Sequence, residues 1–253
     1  MIVTTNTEGI PVALARLGVA DVLSPHGSAV IKINLPCLPG PKHPRTHPEL
    51  IRAVVSFIRS QGASCVIAEG ADGFLQQNIE GVGLADFLKK NGIRLIDLDL
   101  EQDLETIVVG DETHYIPRCL ADFACRIAIP AISWPPGLIF SNNVKLFVGA
   151  VPLGLYQDDT KDNRALVHIN LHQSVANIYR AVMRYCPFQF FVNGGTSLTR
   201  VAGTFELPHV YVGNNALELD SRLVTEIGAE IPEYLEILRN ESPNNEMELT
   251  PGR

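Results

Sequence analysis

The chain has 253 residues, of which 46% are hydrophobic and 19% are charged, and its formal net charge is −8 at pH 7. An acidic chain without a basic patch is not expected to bind nucleic acid. No apolar run approaches the roughly 18 residues of a membrane-spanning helix, and segment 1–9 lacks the features of a signal peptide. We therefore expect a cytoplasmic protein that contacts neither nucleic acid nor membrane.

One βαβ unit dominates the first third of the sequence. An apolar run at 30–35 has the length of a strand, and a Pro-rich loop leads from it to a helix with a Thr46 capping box. Apolar residues recur at helical spacing over 51–58, Gly62 ends the helix, and 65–68 form the next strand. Such a crossover predicts parallel strands, and ligands of open α/β sheets bind at the loops that follow them.

The rest of the chain continues this alternation of helices and strands. The predicted helices are 9–20, 84–90, 141–148, 165–185 and 215–227, and the predicted strands are 93–100, 105–109, 125–129, 188–192 and 210–212. Together they predict an α/β fold, with a largely parallel open sheet and helices on both faces. No linker divides the chain, so we expect a single domain over 1–239 and a polar, disordered tail over 240–253.

Several segments, in order, carry a resemblance to a known family: IKINL, THPELIRAVVSFIRSQGA, AEGADG, KLFVG and GNNALELDSRLVTEIG. In these segments the chain resembles the family catalogued as domain of unknown function 362. The resemblance implies an α/β protein, and some members carry an appended ferredoxin-type iron–sulfur module. This sequence has no C-x₂-C-x₂-C run, so no iron–sulfur cluster is expected.

The chain departs from the family pattern at three polar positions. Ile132-Ser133-Trp134 stands where members usually have Lys-Thr-His, and Asn193-Gly194-Gly195-Thr196 stands where they have Asp-Gly followed by Gly-Pro. Members also tend to have an aspartate at the position of Asn214 or Asn215. Either this chain acts on a specialised substrate, or it has lost the usual chemistry.

The first strand and the long loop after it provide a candidate anion site. Their polar side chains could bind a carboxylate or phosphate near the start of the following helix: Lys32, Asn34, Lys42, His43, Arg45, Thr46 and His47. The alternative is that Thr46 and Glu49 cap the helix while the prolines stiffen the turn.

Glu69-Gly70-Ala71-Asp72-Gly73 follows the second strand. Its two carboxylates could hold Mg²⁺ or act as acid and base, and Gly70 and Gly73 would let a ligand approach the backbone. The alternative is a Gly-rich turn with solvated carboxylates. A divalent cation is therefore the one cofactor that the sequence suggests, and it identifies no metal ligands beyond these two carboxylates.

Polar residues later in the chain extend the candidate site. Lys145 lies in the apolar stretch VKLFVG, either as a surface residue or, in a catalytic site, as a fixed positive charge for a substrate anion or a base with a lowered pKa. Asn193 and Gly194 end a buried strand, where ligand loops gather. Asp220 lies among apolar residues of a helix and needs a partner, which could be a backbone amide or an arginine such as Arg222 or Arg200, and we expect it to anchor the structure or to bind substrate.

Two functional hypotheses follow. The first is an enzyme that acts on a small anionic metabolite, with Lys42, Arg45 and Lys145 binding the anion and Glu69, Asp72 or His47 transferring protons. The second is a non-catalytic protein that binds a small molecule within a biosynthetic pathway. A homo-oligomer is compatible with both. A zinc-thiolate or iron–sulfur site is not expected, and the thiols are expected to be reduced and mostly structural, because the spacing of the five cysteines matches neither kind of site: Cys37, Cys65, Cys119, Cys125 and Cys186.

Overall fold

The computed structural model describes residues 1–23, 27–35, 45–134, 139–157, 164–198 and 204–240. The strands are β1 Ile2–Thr5, β2 Ser28–Ile33, β3 Ser64–Glu69, β4 Arg94–Asp97, β5 Leu104–Val109, β6 Glu112–Pro117, β7 Cys125–Ile129, β8 Phe190–Asn193, β9 Thr196–Leu198, β10 Thr204–Glu206 and β11 Val210–Gly213. The α-helices are α1 Ile10–Arg16, α2 Val19–Leu23, α3 Pro48–Ser60, α4 Leu75–Gly81, α5 Ala85–Lys90, α6 Asn143–Leu146, α7 Ala165–Ile169, α8 Leu171–Tyr185, α9 Ala216–Glu226 and α10 Glu233–Asn240.

Seven strands form one sheet in the order β1-β11-β8-β7-β2-β3-β4. Strands β8, β7, β2, β3 and β4 are parallel to one another, whereas β11 runs antiparallel to β8 and β1 runs antiparallel to β11. The predicted largely parallel sheet is confirmed. The carboxyl ends of five parallel strands therefore meet at one edge, which is where open sheets bind ligands.

Both faces of this sheet are covered by helices, as predicted. Val30, Ala128 and Phe191 face one side and pack with residues of α6, α8, α9 and α10, and we call this side the α8 face. Ile31 and Val192 face the other side and pack with α1 and α3, and we call it the α3 face. Since side chains alternate along a strand, a residue's position in its strand decides which face it serves.

The structure divides several of the predicted elements. Leu17 and Gly18 separate α1 from α2 within the predicted helix 9–20, and Asn170 separates α7 from α8 within 165–185. The predicted strand 93–100 ends at Asp97 and continues as a 3-10 helix, Leu98–Leu100. Short 3-10 helices also follow α6, over Phe147–Ala150, and occur at Leu153–Leu155.

Some elements are additional to the predicted ones: β1, the β6 partner of β5, and the helices α4 and α10. Helix α10 includes Asn240, the first residue of the predicted tail, whereas 241–253 lie outside the described residues. Among the helices described, none combines the length and apolar character needed to cross a membrane.

Candidate functional site

A buried ion pair lies where β2 and β3 end. Lys32 on β2 donates a hydrogen bond to the carboxylate of Glu69, the last residue of β3, and a second one to the Ile33 carbonyl at 2.9 Å. Lys32 is fully buried, and 4% of Glu69 is exposed. Burial raises the pKa of Glu69 to about 7 and lowers that of Lys32, while the attraction between the two opposes both shifts. The pair therefore holds an exchangeable proton near neutral pH.

A second ion pair lies beside the first. Arg164 precedes α7, and its Nη2 donates to Asp99 Oδ1 at 2.6 Å and to the Val151 carbonyl at 3.1 Å. Asp99 also accepts backbone hydrogen bonds from Leu153 at 2.8 Å and Asp72 at 3.0 Å. With so many donors around it, Asp99 fixes the position of a guanidinium that is itself buried.

Two glycines bring these pairs together by close approach. A Cβ on Gly149 would lie 3.2 Å from Lys32 Nζ and 3.4 Å from Glu69 Oε1. A Cβ on Gly70 would lie 2.6 Å from both Arg164 Nη2 and the Gly149 carbonyl oxygen. Arg164 is thus close enough to act on the charges of Lys32 and Glu69. The predicted glycine turn at 70–73 is therefore part of the packing of the site.

Lys145 on α6 contributes a further positive charge. It is half-buried, and no described residue forms an ion pair or hydrogen bond with its ammonium group. Burial lowers the pKa of Lys145, and the nearby Arg164 lowers it further. Lys145 therefore lies near a second cation, Arg164, and has no counter-ion among the described residues. The positive charges of Lys145 and Arg164 would attract an anion to this point, although the net charge of the whole chain is negative.

The glycine turn separates the two carboxylates that were predicted to act together. The Asp72 side chain is exposed and its φ is 47°, in the left-handed region, whereas Glu69 is held inside by Lys32. Asp97 stabilises the turn by accepting from the Ala71 amide at 3.0 Å and the Gly73 amide at 2.7 Å. Within the described ranges there is no group of three or more His, Cys, Asp or Glu residues placed to hold a metal. Divalent-cation binding by Glu69 and Asp72 stays a prediction.

The prediction that Thr46 caps helix α3 is wrong. The Thr46 hydroxyl accepts from the Asn34 amide at 2.7 Å and donates to the Ile129 carbonyl at 2.5 Å, so it joins the carboxyl ends of β2 and β7. His47 is the N-cap instead, because its backbone is extended and its Nδ1 accepts from the Glu49 amide at 3.4 Å. Arg45 is half-buried at the start of this segment. Lys42 and His43 lie outside the described residues.

The carboxyl end of β8 presents a polar side chain without a partner. Asn193 is fully buried, and neither its Oδ1 nor its Nδ2 forms a hydrogen bond with any described residue. Gly194 packs against Val210 of β11, and a Cβ on Gly195 would lie 2.6 Å from His47 Cβ. The end of β8 therefore lies against the start of α3, on the same sheet edge as the ion pairs.

Asp220 lies apart from the ion pairs and anchors α6. Its carboxylate is fully buried and accepts from Asn142 Nδ2 and Asn143 Nδ2, each at 2.8 Å, and from the amides of Asn143 and Val144 at 3.1 and 3.0 Å. Backbone amides are thus among its partners, as one of the two expectations had it, whereas Arg222 lies over the Tyr211 ring and Arg200 lies outside the described residues. Burial raises the pKa of Asp220 to about 7, against these hydrogen bonds. Asp220 thus holds the turn that presents Lys145.

His168 and His172 lie four residues apart in the predicted helix 165–185 and would share a face of one continuous helix, but the helix is broken between them at Asn170. His168 is exposed, and burial together with the nearby Lys145 lowers its pKa. His172 instead stacks on Tyr234 and accepts from its amide at 3.3 Å. The two imidazoles therefore serve different surroundings.

Sequence reasoning missed three residues of this site. Asp97 and Asp99 alternate at the end of the run IRLIDLDL, and two carboxylates at a strand terminus beside a Gly-rich turn are a signal that could have found them. Arg164 has no such signal, because its partner Asp99 is 65 residues away in the sequence.

Comparisons with known proteins fit this description. The family model described as Domain of unknown function (DUF362) matches residues 29–224. No curated protein matches the sequence significantly. Among solved structures, the lactate racemase apoprotein from Thermoanaerobacterium thermosaccharolyticum is similar, with a TM-score of 0.53 and 13% sequence identity. The alignment covers 90% of this chain and 57% of the racemase chain, so the likeness is one of fold over a little more than half of that protein.

Proposed function

The chain belongs to the DUF362 family, and we propose that it is an enzyme that binds a small anionic metabolite and transfers a proton to or from it. Lys145 binds the anion, Arg164 strengthens the positive potential, and the Lys32–Glu69 pair exchanges the proton. The likeness to lactate racemase adds an enzyme of similar fold, at an identity too low to transfer its substrate.

The uncompensated charge of Lys145 is the observation that carries this proposal. A half-buried ammonium group without a counter-ion is unfavourable, and a second cation beside it makes it more so. A bound carboxylate or phosphate removes both penalties, and it raises the pKa of Lys145 back toward its ordinary value. Binding of an anion at this point therefore stabilises the folded protein.

The Lys32–Glu69 pair supports acid–base chemistry. A carboxyl group with a pKa of about 7 is present in both protonation states at neutral pH, which is the condition for efficient proton transfer. In the reaction that we propose, the Glu69 carboxylate accepts a proton from the bound metabolite and later returns it. The Lys32 ammonium group holds the carboxylate in place and balances its charge.

A non-catalytic binding protein is the second candidate, and the depth of the ion pair favours it. Lys32 is fully buried, and Gly149 packs directly against it. A proton-exchange experiment separates the candidates: small carboxylates and phosphate esters are incubated with the protein in D₂O and followed by NMR. Loss of a C–H signal that depends on Glu69 supports the enzyme, whereas stabilisation by a compound without exchange supports the binding protein.

The first test of anion binding is the substitution Lys145→Met, with Lys89→Met as the matched control on the exposed end of α5. Melting temperatures are measured with increasing inorganic phosphate and small carboxylates, since a ligand of the native state raises the melting temperature according to its affinity. We expect an anion-dependent rise in wild type and Lys89→Met, and its loss in Lys145→Met. Without ligand, Lys145→Met should melt at or above the wild-type temperature, because an unpaired charge has been removed.

An equal anion response in wild type and Lys145→Met would contradict the proposal. So would a large drop in the melting temperature of ligand-free Lys145→Met, because it would show that the lysine has a structural role.

A further inference from the structure

Within the part of the chain that the structure describes, the fully buried amide of Asn193 has no hydrogen-bond partner for either of its polar atoms. We propose that this amide recognises a hydroxyl group of the bound metabolite, so that the ligand is a hydroxylated small anion. The inference rests on the proposed function, because it concerns the same ligand at a second point of contact.

The sheet register places Asn193 on the same face as Lys32. Ala128 of β7 pairs with both Lys32 of β2 and Phe191 of β8, so these three residues lie in one row across the strands. Asn193 comes two residues after Phe191 and therefore points to the same side, one step nearer the carboxyl edge. This side is the α8 face, which α6, the helix of Lys145, also covers. A ligand on this face would thus have Lys145, Lys32 and Asn193 around it.

The cost of the unpaired amide is the reason to expect a ligand. A buried donor or acceptor without a partner costs about 1–3 kcal/mol, and Asn193 presents one of each. The other buried asparagines of the described ranges each make at least one side-chain hydrogen bond. Asn177 Oδ1 accepts from Gln173 Nε2 at 3.0 Å and from Arg180 Nη1 at 2.7 Å. Asn142 and Asn143 each donate through Nδ2 to Asp220 and leave only their Oδ1 without a partner. Asn193 is different because its surroundings leave both groups to something other than the described chain.

The chemistry of an amide specifies the group that it would bind. Nδ2 donates and Oδ1 accepts, and a hydroxyl group can accept the first hydrogen bond and donate the second. A second carboxylate of the ligand would accept from Nδ2 but leave Oδ1 unpaired, and its charge would be fully buried beside an uncharged amide. A hydroxyl group therefore fits Asn193 better than another anionic group does.

The test combines stability with a matched pair of probes. The variants are Asn193→Leu, of similar size but apolar, and Asn177→Leu as the control asparagine. Without ligand, we expect Asn193→Leu to melt at or above the wild-type temperature and Asn177→Leu to melt below it. The probes are glycolate against acetate, and glycerol 3-phosphate against inorganic phosphate. Wild type and Asn177→Leu should need about tenfold less of the hydroxylated probe for the same thermal shift, and Asn193→Leu should lose this preference.

Two results would overturn the inference. One is a lowered melting temperature of Asn193→Leu, comparable with that of Asn177→Leu, since it would show that the amide has structural partners. The other is an unchanged preference of Asn193→Leu for the hydroxylated probes, or no preference in wild type. The assay also separates the two proposals: if Lys145→Met abolishes the response to every probe while Asn193→Leu changes nothing, anion binding stands and only the hydroxyl recognition fails.

Discussion

Glu69 and Asp220 are both buried carboxylates, but different groups stabilise their charges. Both are almost completely withdrawn from solvent, and burial raises the pKa of each to about 7. Glu69 is compensated by one opposite charge, the Lys32 ammonium group. Asp220 has no cation among its hydrogen-bond partners and is held by neutral donors from residues 142–144.

This difference indicates that the two carboxylates have different roles: Glu69 is suited to proton exchange, whereas Asp220 positions the start of α6. In the reaction that we propose, a proton passes between Glu69 and the ligand while the Lys32 ammonium group keeps its hydrogen bond to the carboxylate. Protonation of Asp220 would instead weaken the hydrogen bonds that fix the start of α6. We therefore assign proton exchange to Glu69 and a positioning role to Asp220, although both have a pKa near neutrality.

Breaking the ion pair should give the largest effect. Glu69→Leu leaves a buried ammonium group and Lys32→Met leaves a buried carboxylate, and each should lower the free energy of unfolding by about 3–5 kcal/mol. The double variant Lys32→Met/Glu69→Leu should be more stable than either single variant, because no charge is left unpaired. Urea unfolding of all four proteins measures this coupling. Additive losses would show that the two side chains do not depend on each other.

The pH dependence of the free energy of unfolding tests the role of Asp220. Its pKa is raised from 3.8 to about 7, so the folded protein binds more protons than the unfolded chain between these values. The stability that this proton provides is complete below 3.8 and is lost as the pH rises through about 7, by about 4 kcal/mol in total. Asp220→Asn cannot titrate, so its stability relative to wild type should rise with pH over this window.

Urea unfolding at several pH values measures that difference. The opposite result would be a free energy of unfolding of Asp220→Asn that falls relative to wild type as the pH rises. It would show that the four hydrogen bonds outweigh burial and that the carboxylate is ionised in the folded protein over this range.

A smaller effect is expected from Gly70→Ala. The added methyl group would meet the Gly149 carbonyl and the Arg164 guanidinium, which should cost about 1–3 kcal/mol and displace Arg164 from Asp99. The control is Gly81→Ala at the end of α4, where a Cβ meets nothing within 4 Å. Thermal unfolding with and without phosphate measures both variants. A Gly70→Ala protein as stable as Gly81→Ala would show that the two ion pairs are not tightly packed.

Much of the fold could be predicted because local pattern and tertiary role agree there. Strand β7 occupies the predicted residues 125–129, and the apolar stripe of α3 faces the sheet as its spacing indicates. The single helix over 165–185 was wrong because apolar periodicity continues through Asn170, where the backbone leaves the helical region. The short edge strand β1 has too few residues to produce a clear alternation.

The sequence could predict which residues of the site lie at the ends of strands or helices, but not which residues they contact. Glu69 and Lys145 were identified by their position, but their partners come from distant parts of the sequence. Thr46 shows the limit at the level of one residue. Its sequence context fits a cap, and the tertiary partners Asn34 and Ile129 outcompeted the helix amides for its hydroxyl.

The segment over residues 142–150 has a consequence for regulation. Asp220 holds its beginning, Lys145 lies within it, and Gly149 near its end rests on the Lys32–Glu69 pair. If an anion binds at Lys145, as we propose, and this segment transmits its effect to Glu69, then anion binding and protonation of Glu69 are linked equilibria, and each must alter the other by the same factor. Acidity of the surrounding solution would in this way set how tightly the metabolite is retained.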